Sequence, residues 1–295
     1  MKVVVIGGGF VGSRTAARCR EVGWDVTVLD KDPTRGDTTN PGRMADCDVV
    51  FVCVNTDVTS DGKLDLRAFL AAALRIPIEA GLHIDVVCIE STLPVGFTRG
   101  LFSTDSTKGS FVIYAPHRIW GDGEKVWPLQ KIPRIVSGLT REAALKGAEI
   151  YSVLCDAVVL APSVEAAEMV KLWENAYRAV NILLANEMAE VAKRHGLNPK
   201  SIAGLASTKP FGFERFDAGF PGGSCLPIAI PYILQGMTDG LTPLLKLAQE
   251  TIERGNDEKN HDLRFSTRVI RNSDQPVPSF LSDLPDPDSW TVTST

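Results

Sequence analysis

The amino-acid sequence predicts an α/β protein, with a doubly wound parallel sheet in the first half of the chain and an α-helical domain joined to it by one long helix. Three observations lead to this fold class. Short apolar runs that suit strands buried on both faces alternate with helical patterns up to about residue 160. A glycine-rich turn follows the first of these strands. A helical pattern then continues without a break from Ser163 to Gly196.

The glycine-rich turn has the spacing of a dinucleotide-binding site. The strand Lys2–Ile6 leads into GGGFVG at 7–12, a helix is predicted from Val11 to Val22, and the strand Asp25–Leu29 ends at Asp30. In this context the glycines indicate a Rossmann-type domain, because they let backbone approach a pyrophosphate at a helix start. Asp30 can accept both ribose hydroxyls and would repel a 2′-phosphate, so NAD is favoured over NADP. The residues predicted to bind the cofactor here are Gly7, Gly9, Phe10, Val11, Gly12, Asp30 and Lys31.

The alternation of strands and helices continues through this first domain. Further strands are predicted at 48–54, 83–89, 111–114, 134–137 and 157–160, and helices at 62–76 and 142–155. Cofactor contacts belong at the carboxyl ends of parallel strands. That rule adds Val54, Asn55, Thr56, Ser91 and Thr92 to the predicted cofactor site.

The long helix divides the chain into its predicted parts. Ser163 suits the N-cap and Gly196 the left-handed C-cap. The NAD-binding domain is expected at 1–161 and the helical domain at 162–255, with further helices at 201–205, 226–234 and 243–254. Residues 256–295 are rich in Pro, Ser and Asp without periodicity, which predicts an extended or disordered tail.

One face of the long helix carries a polar stripe on a largely apolar surround. The stripe consists of Glu168, Lys171, Asn175 and Arg178, at steps of three, four and three residues. It is either a solvated face or a functional one. We favour the functional interpretation, because a lysine and an amide one turn apart on a buried helix are costly unless they are paired or used.

Composition is that of an ordinary soluble globular protein, with 44% apolar and 23% charged residues among 295. A net charge of −5 gives no reason to expect nucleic acid as a partner, and no apolar stretch approaches a membrane span. The N-terminus enters a strand at once and does not resemble a signal peptide. The cysteines show neither a CxxC pair nor zinc spacing, so no metal is predicted, and most of them suit buried thiols in a reducing cytoplasm.

Cys225 differs from the other cysteines because it follows PGGS at 221–224, a turn of small residues that lets backbone approach a ligand. Nearby backbone N–H groups or a helix start would lower its pKa. A thiolate that adds to an aldehyde gives a thiohemiacetal, which can lose a hydride to become a thioester that water cleaves. In isolation this residue would be assigned as a buried structural thiol.

The chain resembles the UDP-glucose/GDP-mannose dehydrogenase family over about residues 1 to 255. The resemblance rests on VIGGGFVG, FVCVNT, ESTLPVGFT, the long helix AEMVKLWENAYRAVNILLANEMAEVAKRHG and, above all, FPGGSCLP. Members of this family oxidise a sugar CH2OH group twice with two NAD, hold the aldehyde on a cysteine, and dimerise through the long helix. The resemblance therefore implies a homodimer with a helical dimerisation domain.

The resemblance also assigns roles to residues of this chain. It implies that Cys225, Lys171 and Asn175 are catalytic and that Thr92 helps to hold a water. The expected substrate-binding residues are Arg118, Lys171, Asn175, Phe211, Arg215, Gly222 and Gly223, although the aromatic and basic loop 209–216 would equally suit a packed loop.

Three departures from the family pattern affect these assignments. Ile228 and Ala229 stand where the family has a lysine and an aspartate, which puts the acid-forming step in question. His117 stands where the family has a glutamate, and it is either a replacement base with a pKa near working pH or a hydrogen-bonding residue at a strand end. The third departure is that nothing in the sequence matches the family's further C-terminal domain.

Three functions follow from these observations. The first is NAD-dependent oxidation of a primary alcohol of a sugar, nucleotide-sugar or nucleoside-like substrate, through an aldehyde held by Cys225 and on to the carboxylate. The second is a two-electron alcohol dehydrogenase that acts on a smaller substrate. The third is an NAD-binding partner protein without turnover, which the joint presence of Cys225, Lys171, Asn175 and Thr92 disfavours.

Overall fold

The structure, a computed structural model, describes residues 1–44, 47–59, 63–79, 84–102, 110–119, 125–219, 226–235, 237 and 242–258. All of them lie in one compact unit, Met1–Leu263. The predicted site residues Gly222, Gly223 and Cys225, and nearly all of the predicted tail, lie outside the described residues. Within the described residues, no helix combines the length and apolar character needed to cross a lipid bilayer.

The core of the fold is a sheet with the strand order β2-β1-β3-β6-β7-β8-β9. Its strands are β1 (Lys2–Ile6), β2 (Asp25–Leu29), β3 (Val49–Val52), β6 (Val86–Ile89), β7 (Phe111–Tyr114), β8 (Arg134–Gly138) and β9 (Val158–Leu160), and a separate hairpin pairs β4 (Asp57–Val58) with β5 (Leu64–Asp65). The first five strands of the order are parallel and nearly fully buried at the centre, as their Val- and Ile-rich runs predict. The predicted α/β sheet is therefore confirmed.

The far edge of the sheet corrects the prediction of an all-parallel sheet. β8 runs antiparallel to β7, and β9 runs parallel to β8. A parallel connection needs a crossover helix. Between β7 and β8 the described residues supply only the 3-10 turn Leu129–Lys131, so the chain returns in the opposite direction.

The helices are α1 (Phe10–Glu21), α2 (Arg67–Glu79), α3 (Phe97–Phe102), α4 (Arg141–Leu154), α5 (Val164–Arg194), α6 (Pro199–Ala206), α7 (Leu226–Leu234) and α8 (Pro243–Glu258). One predicted helix start was wrong, because 62–76 combines the strand β5 with the beginning of α2. Leu64 and Leu66 face the core from an extended segment, and their apolar spacing resembles a helical face.

The long helix α5 has the predicted caps. The Ser163 side chain accepts a hydrogen bond from the backbone N–H of Ala166 at 3.2 Å, and Gly196 has φ +71° just beyond the C-cap. At 31 residues the helix is about 46 Å long. Its first half packs against the sheet, and its middle packs against α7 and α8 through a cluster that includes Ala176, Ala179 and Leu226.

A buried ion pair joins the ends of several elements beneath the glycine-rich turn. Glu90, which follows β6, accepts hydrogen bonds from Arg134 Nη2 at 2.7 Å, Tyr151 Oη at 2.9 Å and Thr15 Oγ1 at 2.6 Å. Arg134 Nη1 also donates to the Pro116 carbonyl at 3.0 Å. Burial is the largest single effect and opposes the charge of Arg134, but Glu90 together with the neighbouring Tyr151, Cys155 and Cys53 outweighs it, so the pKa of Arg134 is raised.

All five cysteines that the structure describes are reduced, and each side chain is buried. They are Cys19, Cys47, Cys53, Cys88 and Cys155. Burial raises the pKa of Cys53, and the nearby carboxylate of Glu90 raises it further. The prediction of buried thiols is confirmed for these residues.

We expect Glu90→Gln to lower the free energy of unfolding by about 3 kcal/mol, because the substitution leaves the Arg134 charge buried without its counter-charge. Chemical denaturation followed by circular dichroism would measure this loss. The matched control is Glu149→Gln, which removes an exposed pair with Lys146 and should change stability by less than about 0.5 kcal/mol. Equal effects of the two substitutions would contradict the assignment of the Glu90 pair as the stronger interaction.

Candidate active site

The glycine-rich turn lies where the strand order reverses around β1, which is the usual ligand position in an open α/β sheet. Gly7 has φ +97°, a conformation that favours glycine. A Cβ on Gly12 would lie 1.8 Å from the Gly7 carbonyl oxygen, so this glycine lets α1 pack against the turn. Gly9 is different, because a Cβ there would meet no atom within 4 Å. The open space at Gly9 is the approach that a pyrophosphate needs.

Asp30, at the end of β2, contacts the glycine-rich turn directly. Its Oδ2 accepts a hydrogen bond from the Gly8 N–H at 2.6 Å, and its Oδ1 accepts one from the Asp32 N–H at 2.8 Å. A carboxylate has about four acceptor positions, so two remain for ribose hydroxyls. Lys31 is exposed beside it. Asp30 therefore orders the turn as well as facing the predicted ribose position.

The loops after β3 and β6 are tied together by their own side chains. Thr56 Oγ1 donates to the Thr92 carbonyl at 2.8 Å, and Ser91 Oγ donates to the Val54 carbonyl at 2.8 Å. Asn55 is exposed between them. Thr56 and Ser91 use their hydroxyl protons to fix the loops, and each oxygen keeps its lone pairs as acceptors, so their predicted cofactor contacts stay predictions.

These residues fit a dinucleotide. The first turn of α1 contains no acidic residue, and the open backbone at Gly9 begins it. Phe10 is exposed at this helix start, with the Arg14 guanidinium 3.7 Å from the centroid of its ring. Gly7, Gly9, Val11, Gly12 and Asp30 would hold NAD, which supplies a hydride acceptor when bound.

His117 lies at the end of β7 and is almost fully buried, with 4% of its surface exposed. Burial lowers its pKa well below the ordinary value, and the positive charges of Arg134, Lys171 and Arg14 lower it further. Burial and three cations thus disfavour the imidazolium, which counts against a base with a pKa near working pH, and the catalytic role of His117 stays a prediction. The alternative, a hydrogen-bonding residue at a strand end, agrees with the bond from the Ile119 N–H to His117 Nδ1 at 3.4 Å.

The structure brings α5 to the end of β7, so that Lys171 lies at the same corner as His117. Asn175 follows one turn further along the helix. Lys171 is close enough for its charge to lower the pKa of His117. Asn175 Nδ2 is buried and has no hydrogen-bond partner among the described residues. An ion pair joins the end of β7 to α5 here. Arg118, which follows His117, has its Nη2 2.6 Å from Oε1 of Glu174, which precedes Asn175.

Arg118 joins the end of β7 to α5. Its guanidinium contacts Glu174 and donates to the Pro133 carbonyl at 2.9 Å, and its predicted role in substrate binding stays a prediction. Glu168 is structural rather than part of a functional stripe. It is fully buried, and it accepts hydrogen bonds from the Gly96 and Thr98 N–H groups at 2.6 and 2.9 Å at the start of α3.

The loop 209–219 packs along the middle of α5. Tyr177 Oη donates to Glu214 at 2.8 Å, and the Asn186 amide exchanges two hydrogen bonds of 2.7 Å with the backbone of Gly219. Within this loop Arg215 pairs with Asp217, whereas the Phe211 ring is 71% exposed. The predicted roles of Phe211 and Arg215 in substrate binding stay predictions, and the packed-loop alternative describes much of the segment.

Sequence reasoning missed the residues that hold this site together. Glu90 and Arg134 were assigned only to strand ends, and Tyr151 only to a helix. The sequence feature that could have indicated a buried ion pair was the placement of Glu90 and Arg134 at the ends of otherwise apolar strands, where a charge must be paired. Nothing in the local sequence around either residue indicates that the two belong to one pair.

The fold and the site define a dinucleotide-binding α/β protein, and comparisons with known proteins identify its family. Residues 35–155 match the NAD binding domain of the UDP-glucose/GDP-mannose dehydrogenase family, and residues 165–256 match the central domain of that family. Together these stretches cover well over half of the chain. The chain therefore belongs to this family, and the predicted resemblance and NAD as the cofactor are confirmed.

Individual relatives agree with this assignment. The UDP-N-acetyl-D-mannosamine dehydrogenase of Methanococcus aeolicus is 28% identical over 282 residues, which cover 84% of this chain and 63% of the relative. The UDP-glucose 6-dehydrogenase YwqF of Bacillus subtilis is 27% identical over 77% of this chain and 60% of its own length. The solved structure of the UDP-D-ManNAc dehydrogenase of Pyrococcus horikoshii has a TM-score of 0.74 and 26% identity, covering 86% of this chain and 68% of that one. The chain thus spans about three fifths of the length of the two sequence relatives.

We expect Gly9→Ala to weaken NAD binding at least tenfold while leaving the melting temperature nearly unchanged, because the new methyl group enters open space that the cofactor needs. Calorimetric titration with NAD would measure the affinity. Gly204→Ala, at another open glycine far along α6, is the control and should leave NAD binding intact. Equal affinity of the Gly9 variant and the unmodified protein would exclude this turn as the pyrophosphate site.

Proposed function

We propose that the protein is an NAD-dependent dehydrogenase that oxidises a primary alcohol of a sugar, nucleotide-sugar or nucleoside-like substrate to the aldehyde and on to the carboxylate. The observation that carries this proposal is the position of Lys171 at the corner where α5 meets the end of β7, with Asn175 one turn further along the helix, in a protein whose glycine-rich turn is open at Gly9. The names of the relatives, which are dehydrogenases of UDP-sugars, support the substrate class. We place the reaction in the cytoplasm, where the buried thiols would stay reduced.

The side chains of this corner suit the first oxidation. A lysine ammonium and an amide N–H next to an alcohol oxygen stabilise the negative charge that develops there as its proton leaves. NAD, when bound, would supply the hydride acceptor for the carbon that carries this oxygen. Lys171 and Asn175 lie one turn apart on the rigid helix α5, and the ion pair between Arg118 and Glu174 fixes that helix against the sheet. We propose Thr92, in the loop after β6, as the residue that holds the water receiving the hydroxyl proton.

The second oxidation would use Cys225. Its thiolate adds to the aldehyde carbon to form a thiohemiacetal, a second hydride leaves to another NAD, and water cleaves the resulting thioester to a carboxylate and the free thiol. Support comes from the residue that follows it. Leu226 begins α7 and packs in one cluster with Ala176, which follows Asn175 in the sequence. In this proposal Gly222 and Gly223 contact the substrate next to the thiol.

A second candidate function, oxidation that stops after one hydride, has its own supporting observation. Ile228 and Ala229 are buried in the main apolar core, with 5% and 0% of their surfaces exposed. Neither side chain can orient or deprotonate a water. The family's glutamate is also missing, because His117, whose pKa is lowered by burial, stands in its place. The thioester, or the aldehyde itself, would then lack the water-activating group that the family pattern provides.

Counting NADH per substrate consumed distinguishes the two functions. We expect two NADH per substrate from the unmodified protein on a panel of UDP-sugars, sugar phosphates and nucleosides, and one from Cys225→Ala, because the second hydride leaves only from the cysteine adduct. Absorbance at 340 nm together with chromatography of the product would measure both quantities. One NADH per substrate in both proteins would instead support the two-electron dehydrogenase.

Lys171→Met serves as the test of turnover itself. It should lower kcat by about a hundredfold or more with little change in NAD affinity, because its ammonium acts on the reacting oxygen. Lys193→Met, on an exposed turn of the same helix, should leave kcat unchanged. Binding of NAD without redox activity on any substrate would support a non-catalytic partner protein.

We also propose that the protein is a homodimer formed through α5. A stripe of exposed apolar side chains follows one face of this helix at steps of four, seven, four and three residues, and consists of Trp173, Tyr177, Leu184, Met188 and Val191. An exposed apolar face of this length is typical of an interface between subunits.

We expect the double variant Leu184→Glu, Met188→Glu to be a monomer, because each carboxylate would be desolvated in the interface. Sedimentation velocity at micromolar concentration would measure the mass. Glu187→Gln, between the two on the helix, should remain dimeric. If the unmodified protein sediments as a monomer, the proposed interface is excluded.

A further inference from the structure

The loop after β3 forms one wall of the predicted cofactor site. A Cβ on Gly7 would lie 2.6 Å from the Cys53 carbonyl oxygen and 3.2 Å from Cα of Val54, so this loop packs directly against the glycine-rich turn. Asp30 would hold the adenosine ribose and the start of α1 the pyrophosphate, which leaves the nicotinamide half of NAD to the loops after β3 and β6. Cofactor binding therefore depends on the shape of the segment 54–57.

This segment is held from two sides. On one side, Thr56 Oγ1 donates to the Thr92 carbonyl in the loop after β6 at 2.8 Å. On the other side, Tyr232 Oη of α7 donates to the Asp57 carbonyl at 3.1 Å. Asp57 is an exposed residue, whereas only 2% of the surface of Tyr232 is exposed. A buried side chain thus anchors an exposed part of the loop.

Helix α7 is a rigid support for this hydrogen bond, because it is buried on two sides. Tyr232 lies in the main apolar core, together with residues of the central strands. Leu226 and Ile230 lie in the cluster that contains Ala176 of α5. Since α7 belongs to the predicted helical domain and Asp57 to the predicted NAD-binding domain, the hydroxyl of Tyr232 joins the two parts of the chain at the cofactor loop.

The Tyr232 hydroxyl keeps its proton at working pH. Burial raises the pKa of Tyr232 to about 12, opposed by a hydrogen bond with Thr56 and assisted by the carboxylates of Asp57 and Asp65. A phenol with such a pKa stays a donor at neutral pH. The hydrogen bond to the loop is therefore present under the conditions in which NAD binds.

We propose that Tyr232 is a positioning residue for NAD, whose hydroxyl holds the segment 54–57 in the shape that receives the nicotinamide half of the cofactor. Tyr232 acts through the Asp57 carbonyl and does not need to contact NAD itself. Without the hydroxyl, water can bond to this carbonyl, and the segment is free to leave the glycine-rich turn. NAD would then have to order the segment as it binds, which lowers its affinity.

The variant Tyr232→Phe removes this hydroxyl and keeps the ring in the core. Calorimetric titration would compare NAD with ADP, which has the adenosine half and the pyrophosphate but no nicotinamide riboside. We expect NAD affinity to fall about three- to tenfold, the range that one hydrogen bond supplies, and ADP affinity to change by less than about twofold. The matched control is Tyr177→Phe, which removes a hydroxyl bonded to Glu214 and should leave both affinities unchanged.

Two results of these titrations would overturn the proposal. If Tyr232→Phe lowers the melting temperature but leaves NAD affinity within about twofold of the unmodified protein, the hydrogen bond only stabilises the fold. If NAD and ADP lose affinity equally, the substitution has disturbed the whole cofactor site rather than the segment 54–57.

Hydrogen exchange followed by mass spectrometry gives a readout in the unmodified protein, which does not depend on how a variant folds. Because coupling between two sites is reciprocal, NAD should slow amide exchange in α7 more than in α6, which belongs to the same predicted domain. This difference should disappear in Tyr232→Phe. Equal slowing of both helices in the unmodified protein, or a difference that the variant retains, would contradict the proposal.

The inference goes beyond the proposed function, because it concerns cofactor affinity and none of its measurements requires turnover. A protein that shows these effects but oxidises no alcohol would keep Tyr232 as a positioning residue and remove the proposed function. A protein that oxidises its substrate with NAD affinity indifferent to Tyr232→Phe would keep the dehydrogenase and overturn the inference.

Discussion

The buried pair between Glu90 and Arg134 is the interaction on which the rest of the site depends. Its partners come from α1 through Thr15, from α4 through Tyr151, and from the chain just after β7 through the Pro116 carbonyl. A buried pair of this kind is weak evidence for net stability, since desolvation offsets much of the attraction. Its effect is geometric, because it fixes the cofactor helix and the His117 corner to the same two charges. Any movement of one relative to the other would leave a charge unpaired in the core.

Helix α5 gives the second half of this geometry. Glu168 joins its first turns to the start of α3, the pair between Arg118 and Glu174 joins its next turns to the end of β7, and Ala176 begins its contact with α7. Lys171 and Asn175 lie between these three attachments. Catalytic side chains on a rigid helix can be held within a fraction of an ångström, which loops rarely achieve. The predicted domain boundary near residue 161 lies between β9 and this helix. However, α5 contacts both predicted domains, since it packs against the sheet of the first and against α7 and α8 of the second.

The sequence was sufficient for features that follow from local rules. The Gly7–Gly12 turn, the caps of α5 and the buried central strands each depend on residues close together in the chain, and all were predicted. The direction of β8 was not, because it depends on the connection from β7, whose described residues form only a 3-10 turn, rather than on the strand's own residues. Glu168 was assigned to a functional face, because a polar residue beside a site looks the same in sequence whether it binds a ligand or a neighbouring helix. Its distant partners, the N–H groups of Gly96 and Thr98, show that it fixes α5 to the start of α3.

Three positions separate this chain from the family pattern, and their changes of charge do not have one sign. His117 and Ala229 each stand in place of a carboxylate, whereas Ile228 stands in place of a lysine. Ile228 and Ala229 are both buried in the main apolar core, where neither side chain can bind or deprotonate a water. In the proposed function, only the cleavage of the thioester needs an activated water. The glycine-rich turn, Lys171 and Asn175 keep the family pattern, so the hydride transfers depend on residues that these three positions leave unchanged.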